Sequence, residues 1–277
     1  MAASHRLDSE TLADRGFTVV RNLIGPEECR ALAALWPEQA RFRKHIVMQR
    51  HGYGQGEYQY FAYDLPASVE RLRQALYPEL AKVANEWNAR LGRPKRFPPD
   101  LKDWLRECHQ AGQTRPTPLL LRYGPGDYNC LHRDLYGEMV FPLQVVVLLS
   151  APGRDFTGGE FMLVEQRARM QSRGEVVPLE QGDAAIFAVN ERPAKGLRGW
   201  HRTAMRHGVS SLRTGERFTL GLIFHDAAEP GTNLQQRPHP EERSTGARLE
   251  GWARAPRPLP ILRDGPAGLL RMRSYER

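Results

Sequence analysis

The chain has 277 residues, 40% of them hydrophobic, and carries a net charge of +8, enough apolar side chain for a packed core and one or two domains. No apolar run approaches the roughly 20 residues of a bilayer-spanning helix, and Met1 to Asp8 has no apolar signal core. Cys29, Cys108 and Cys130 are few, odd in number and scattered, which excludes a disulfide framework, so the reading is a cytoplasmic protein.

In chain order, Ser9 to Arg15 reads as a short helix and Gly16 to Ile24 as a strand. Pro26-Glu27-Glu28 opens a helix through Trp36, with proline early and acids in the first turn. Arg41, Arg43, Lys44, His45, Arg50 and His51 form a first basic group. Residues 66 to 91 carry helical periodicity in Val69, Leu72, Leu76, Leu80, Val83 and Trp87, and Pro99 to Gln110 reads as another helix. Thr117 to Tyr123 is an apolar strand, followed by a Gly-Pro-Gly turn at Gly124 to Gly126. Asn129 to Leu135 is taken as extended, and the β-branched run Phe141 to Leu149 as a buried strand. A second basic group is Arg167, Arg169 and Arg173; a third is Arg192, Lys195, Arg198, Arg202 and Arg206, with Trp200 among them. The third leads into His207 and is expected at the mouth of any site there. His207 to Ser210, a Thr214-Gly215 turn and the strand Arg217 to Phe224 read as a hairpin. Residues 228–277 hold seven of the 21 prolines and nine arginines, and read as a solvated, disordered tail.

Chemistry concentrates at His132-Arg133-Asp134. Residues i and i+2 of a strand share a face, so His132 and Asp134 project together. Two histidines and one carboxylate are the donors of a facial triad, which holds Fe(II) and leaves coordination positions open. His207 is preferred over His201 as the third donor, because His201 lies in a Gly- and Arg-rich stretch and reads as a surface residue. Arg217, ten residues past His207, supplies a fixed cation able to fork onto the far carboxylate of a dicarboxylic co-substrate such as 2-oxoglutarate. Thr219, on the same strand face, can offer its hydroxyl to that carboxylate. Cys130 sits two residues before His132 and reads as a small apolar side chain rather than a ligand.

Tyr123-x-x-Gly126-x-Tyr128-x-x-x-His132-x-Asp134, then Thr157-Gly158-Gly159-Glu160-Phe161, Gly182-Asp183-Ala184-Ala185-Ile186-Phe187, His207-x-Val209 and Arg217-x-Thr219 together resemble the Fe(II)/2-oxoglutarate-dependent dioxygenases over residues 117–227. The resemblance implies an α+β fold with a double-stranded β-helix (jelly-roll) core and supporting N-terminal helices. It implies iron on His132, Asp134 and His207, and 2-oxoglutarate reaching Arg217 with Thr219 and Tyr123 assisting. The implied organisation is a support region over 1–116, the dioxygenase core over 117–227 and the tail over 228–277. Arg122 to Gly126 with Leu131 to Asp134 is similar to AlkB-like alkylation-repair enzymes, and the wider sequence resembles a bacterial oxygenase family assigned to damaged nucleic acid. Two positions depart from AlkB: Leu121 stands where those enzymes carry asparagine, and Ile223 where they carry a second arginine. The His207-to-Arg217 spacing is closer to the prolyl-hydroxylase pattern.

Three readings stay open. The first is an oxygenase acting on alkylated DNA or RNA, for which the basic groups and Trp200 suit a phosphate backbone and a flipped or single-stranded base. The second is a protein hydroxylase of the prolyl-hydroxylase kind, and the third a non-catalytic jelly-roll metal-binding module. The basic groups suit an acidic protein or a solvated surface equally, and the oligomeric state is not encoded in these patterns.

Overall fold

The structure is a computed structural model and describes residues 7–167, 170–197 and 199–228. The tail expected over 228–277, apart from Ala228, and Arg169 and Arg198 of the basic groups lie outside the described residues.

Four helices are α1 (Ser9–Arg15), α2 (Pro26–Ala33), α3 (Ala67–Arg90) and α4 (Leu101–Gln110). The strands before α3 are β1 (Phe17–Val20), β2 (Phe42–Val47), β3 (Gly54–Gln55) and β4 (Glu57–Phe61). After α4 come β5 (Gln113–Arg115), β6 (Leu119–Tyr123), β7 (Tyr128–His132), β8 (Leu143–Leu148), β9 (Phe156–Gly158), β10 (Phe161–Gln166) and β11 (Arg173–Val177). The chain continues through β12 (Ala184–Ala188), β13 (Glu191–Gly196), β14 (Gly199–Val209), β15 (Leu212–Gly215), β16 (Arg217–Ile223) and β17 (Ala227–Ala228).

The larger sheet runs β1-β12-β8-β16-β6-β4-β2 and the smaller β11-β10-β14-β7-β3, with β13 paired to β14. From β6 onward the chain alternates between them: β6, β8, β12 and β16 fall in the larger sheet, β7, β10 and β14 in the smaller. That alternation is the winding of a double-stranded β-helix. The two inner faces meet in one core, where Phe161 of β10 touches Phe187 of β12 at a centroid separation of 5.0 Å.

Local sequence explains the parts. Asp8 caps α1 by accepting the Thr11 N–H at 2.9 Å, and Gly16 ends that helix in the left-handed region. β8 is buried at every position, so both of its faces are covered and its sequence LQVVVL shows no alternation of polar and apolar residues. α3 and α4 close one side through an aromatic cluster of Tyr77, Phe97, Trp104, Phe141 and Phe224. β1, β2 and β4, all before residue 117, extend the larger sheet. Among the described residues, no helix is long and apolar enough to cross a membrane.

Candidate metal centre

β7 and β14 bring the donors together. His207 pairs with His132, but the next pair is Val209 with Asn129, so β7 carries one extra residue there. Such a bulge re-aims side chains, and here both Asn129 and His132 reach the space between the sheets. Gly208 is the residue opposite, where a Cβ would meet the Asn129 carbonyl at 2.7 Å. The bulge therefore requires glycine at 208.

The donor atoms of His132, Asp134 and His207 all lie within 4.8 Å of one another. Asp134 Oδ1 is 3.5 Å from His132 Nε2, and Asp134 Oδ2 is 3.3 Å from His207 Nε2. His132 Nδ1 lies 2.8 Å from the Cys130 carbonyl, a contact that places the proton on Nδ1 and frees Nε2 for a metal. Tyr136 and Gln144 donate to the two Asp134 oxygens at 2.7 and 2.9 Å. Burial works against the Asp134 charge, but the charges and hydrogen bonds of His132 and His207 outweigh it and hold the carboxyl well below its usual range. Burial, with the His132 charge, pushes His207 down. An ionised carboxylate and a neutral imidazole are the forms that bind a divalent ion, so the donor set fits Fe(II).

A second feature faces the same interior. Alternation along β16 turns Arg217 and Thr219 inward, each 1% exposed, and leaves Phe218 outside against Trp36. The Arg217 guanidinium lies over Tyr123, 5.6 Å from the ring centroid, and 5.9 Å from that of Phe156. Its Nε and Nη1 have no hydrogen-bond partner among the described residues, and burial pulls its pKa down to about 10, so it stays charged at neutral pH. A buried cation with unsatisfied nitrogens is costly unless a carboxylate or phosphate reaches it, which is what a dicarboxylic co-substrate offers. Tyr123 joins this pocket to the ligand strand, its hydroxyl 3.4 Å from Asn129 Nδ2.

The structure thus groups the three donors, sets Arg217 over Tyr123, and buries Thr219 two residues further along β16. It corrects three expectations. His207 and Arg217 are not on one hairpin: His207 is near the end of β14 in the smaller sheet, Arg217 begins β16 in the larger, and β15 pairs with β9 between them. The extended stretch ends at His132, so Asp134 reaches the centre from the loop after β7. The third basic group is not gathered at the mouth. Arg192 is 4% exposed and held by Glu165, and Trp200 lies seven residues before His207, roughly 23 Å along the strand, under Arg90 of α3. His201 is exposed, as expected, but within β14 rather than a loop. Asn129, Tyr136, Gln144 and Gly208 escaped the sequence reading. Gln144 left a trace there, as a lone polar residue in a buried β-branched run.

A family model described as "Oxygenase, catalysing oxidative methylation of damaged DNA" matches residues 56–227. An uncharacterized protein of Mycobacterium tuberculosis (strain H37Rv) is 56% identical over 168 residues, which are 61% of this chain and 72% of that protein. Solved structures similar to this chain include a Pseudomonas putida prolyl-4-hydroxylase, 16% identical with a TM-score of 0.46, covering 78% of this chain and 95% of that one. Another is a 2OG-Fe(II) oxygenase family oxidoreductase from Burkholderia pseudomallei, 18% identical with a TM-score of 0.45, covering 79% and 91%.

Proposed function

The chain belongs to the Oxygenase-NA family, and from that premise we propose that it is an Fe(II)- and 2-oxoglutarate-dependent dioxygenase that oxidises alkylated bases in nucleic acid. The observation that carries the reading is a pair of neighbouring features between the sheets: a His-Asp-His donor set and a buried guanidinium with unsatisfied nitrogens.

His132, Asp134 and His207 would hold the iron. With 2-oxoglutarate and oxygen, bound iron supplies an oxidant that hydroxylates a C–H bond, leaving succinate and CO2. Arg217 binds the distal carboxylate of 2-oxoglutarate, Thr219 adds its hydroxyl, and Tyr123 forms the floor beneath the guanidinium. Tyr136 and Gln144 fix the Asp134 carboxylate so that its orientation survives exchange of co-substrate. Phe161 and Phe187 exclude water behind His207. No side chain is required as general acid or base. A hydroxylated N-methyl group then falls away as formaldehyde, restoring the base.

The test is anaerobic loading with Fe(II) and 2-oxoglutarate, followed by oxygen, with succinate measured in the presence and absence of methylated single-stranded DNA. The expected result is succinate formation stimulated by the DNA, formaldehyde release, and loss of both in His132→Ala and Arg217→Ala. Succinate indifferent to DNA would retain the dioxygenase and remove the nucleic-acid substrate. No succinate from iron-loaded protein would remove the enzyme reading.

A further inference from the structure

The rim of the metal centre carries aromatic surface that the fold does not use. β3 pairs with β7, and the Cys130 N–H donates to the Tyr53 carbonyl at 2.9 Å, so Tyr53 is fixed beside the strand that ends in His132. Gly54 makes that approach possible: a Cβ there would meet the Tyr128 carbonyl at 2.4 Å. Tyr53 is nonetheless 49% exposed, its ring stacked on His51 with centroids 5.4 Å apart and planes 20° from parallel. Leu131 and Leu135, next to the ligands His132 and Asp134 in sequence, are also exposed. His132 keeps a third of its own side chain accessible. The exposed Tyr53–His51 stack, fixed beside the ligand strand, is therefore a candidate contact surface.

Its charge points to the occupant. Arg41 and His45 of the first basic group are matched by Glu38 and Glu57, but Lys44 and Arg50 form no ion pair among the described residues. Arg50 immediately precedes His51, so an unneutralised cation adjoins an exposed aromatic pair beside the strand that ends in His132. That combination suits a strand whose bases are free to stack and whose phosphates are regularly spaced. A paired duplex keeps its base faces covered, leaving only base edges and phosphates to contact.

Resting on the nucleic-acid reading above, we propose that Arg50, His51 and Tyr53 form a stacking platform for the nucleotide next to the one entering the metal centre. Tyr53 and His51 take its base, Arg50 takes the adjoining phosphate, and the substrate is single-stranded or locally unpaired nucleic acid. Because every base has a π-face, the platform sets strand state and register rather than sequence.

The test uses the full chain loaded with Mn(II) and a short DNA strand carrying a fluorescein label and one 2-aminopurine. Anisotropy reads affinity, and quenching of the 2-aminopurine reads stacking. The wild type should bind the strand more tightly than its duplex and quench the probe. Tyr53→Ala should weaken binding about ten-fold and abolish quenching, while Tyr53→Phe retains both. Arg50→Ala should weaken binding and reduce the salt dependence by about one phosphate contact. Equal thermal midpoints would show that each variant is folded. Wild-type affinity and quenching in Tyr53→Ala would overturn the platform and leave the nucleic-acid reading standing. Duplex bound as tightly as single strand would overturn the strand-state assignment. Failure of the wild type to bind either at low salt would remove the nucleic-acid reading itself, and the platform with it.

Discussion

Arg192 and Arg217 are both buried, 4% and 1% exposed, and each passes a glycine whose Cβ would collide with it: Gly16 for Arg192 at 2.4 Å, Gly159 for Arg217 at 3.0 Å. Their company differs. Arg192 donates through Nε and Nη2 to Glu165, and through Nη1 to the Pro193 carbonyl at 3.2 Å. Arg217 faces the rings of Tyr123 and Phe156, with Nε and Nη1 unpartnered. The fold thus contains the counterion of one arginine and leaves that of the other to a ligand. A basic residue in the sequence does not reveal which case it is.

The largest expected effect breaks this comparison directly. Arg192→Met should destabilise the protein by roughly 3 kcal/mol, because Glu165 is left partly buried with only Arg167 beside it. Arg217→Met should cost no stability and can raise the melting temperature, since it removes a buried charge that has no ion pair among the described residues, only the longer-range field of Glu160. Urea denaturation of both variants checks this; equal losses would mean that Arg217 has a partner within the protein.

His225 extends the same logic to pH. It is fully buried, and burial pushes its pKa down to about 4. Above pH 6.5 it is neutral whether folded or unfolded and contributes no pH dependence. As pH falls below 6.5, the unfolded chain takes up a proton that the folded one refuses, so stability should drop by about 2 kcal/mol between pH 8 and pH 5. His225→Asn should flatten that part of the profile, measured as the urea midpoint against pH. An unchanged slope would show that other groups dominate.

The two glycines separate the arginines more finely. Gly159→Ala would press on Leu212 and Arg217 and should raise the KM for 2-oxoglutarate about ten-fold. Gly16→Ala would press on Arg192 and lower stability, with KM unchanged once folded. Thr219→Val should have the smallest effect, a few-fold in KM, through loss of one hydrogen bond.

Much of this was legible in the sequence because periodicity reports burial. α3 and α4 follow their apolar spacing, and β6, β8 and β16 read as strands because each carries a short apolar run between turn signals. The donors were legible because a metal needs particular atoms. β2 was not, since an edge strand can carry Arg43, Lys44 and His45 in a row and so resembles a surface basic run. The β7 bulge was not, because it is fixed by Gly208 on another strand. The Arg192–Glu165 pair was not, because pairing across 27 residues leaves no local pattern.

The most direct test is calorimetric titration of 2-oxoglutarate into Mn(II)-loaded wild type and Arg217→Met. The prediction is saturable binding by the wild type, weakened a hundred-fold or more in the variant, with metal affinity unchanged. Equal affinity for 2-oxoglutarate in the two proteins would contradict the assignment of Arg217 and leave its burial without a purpose.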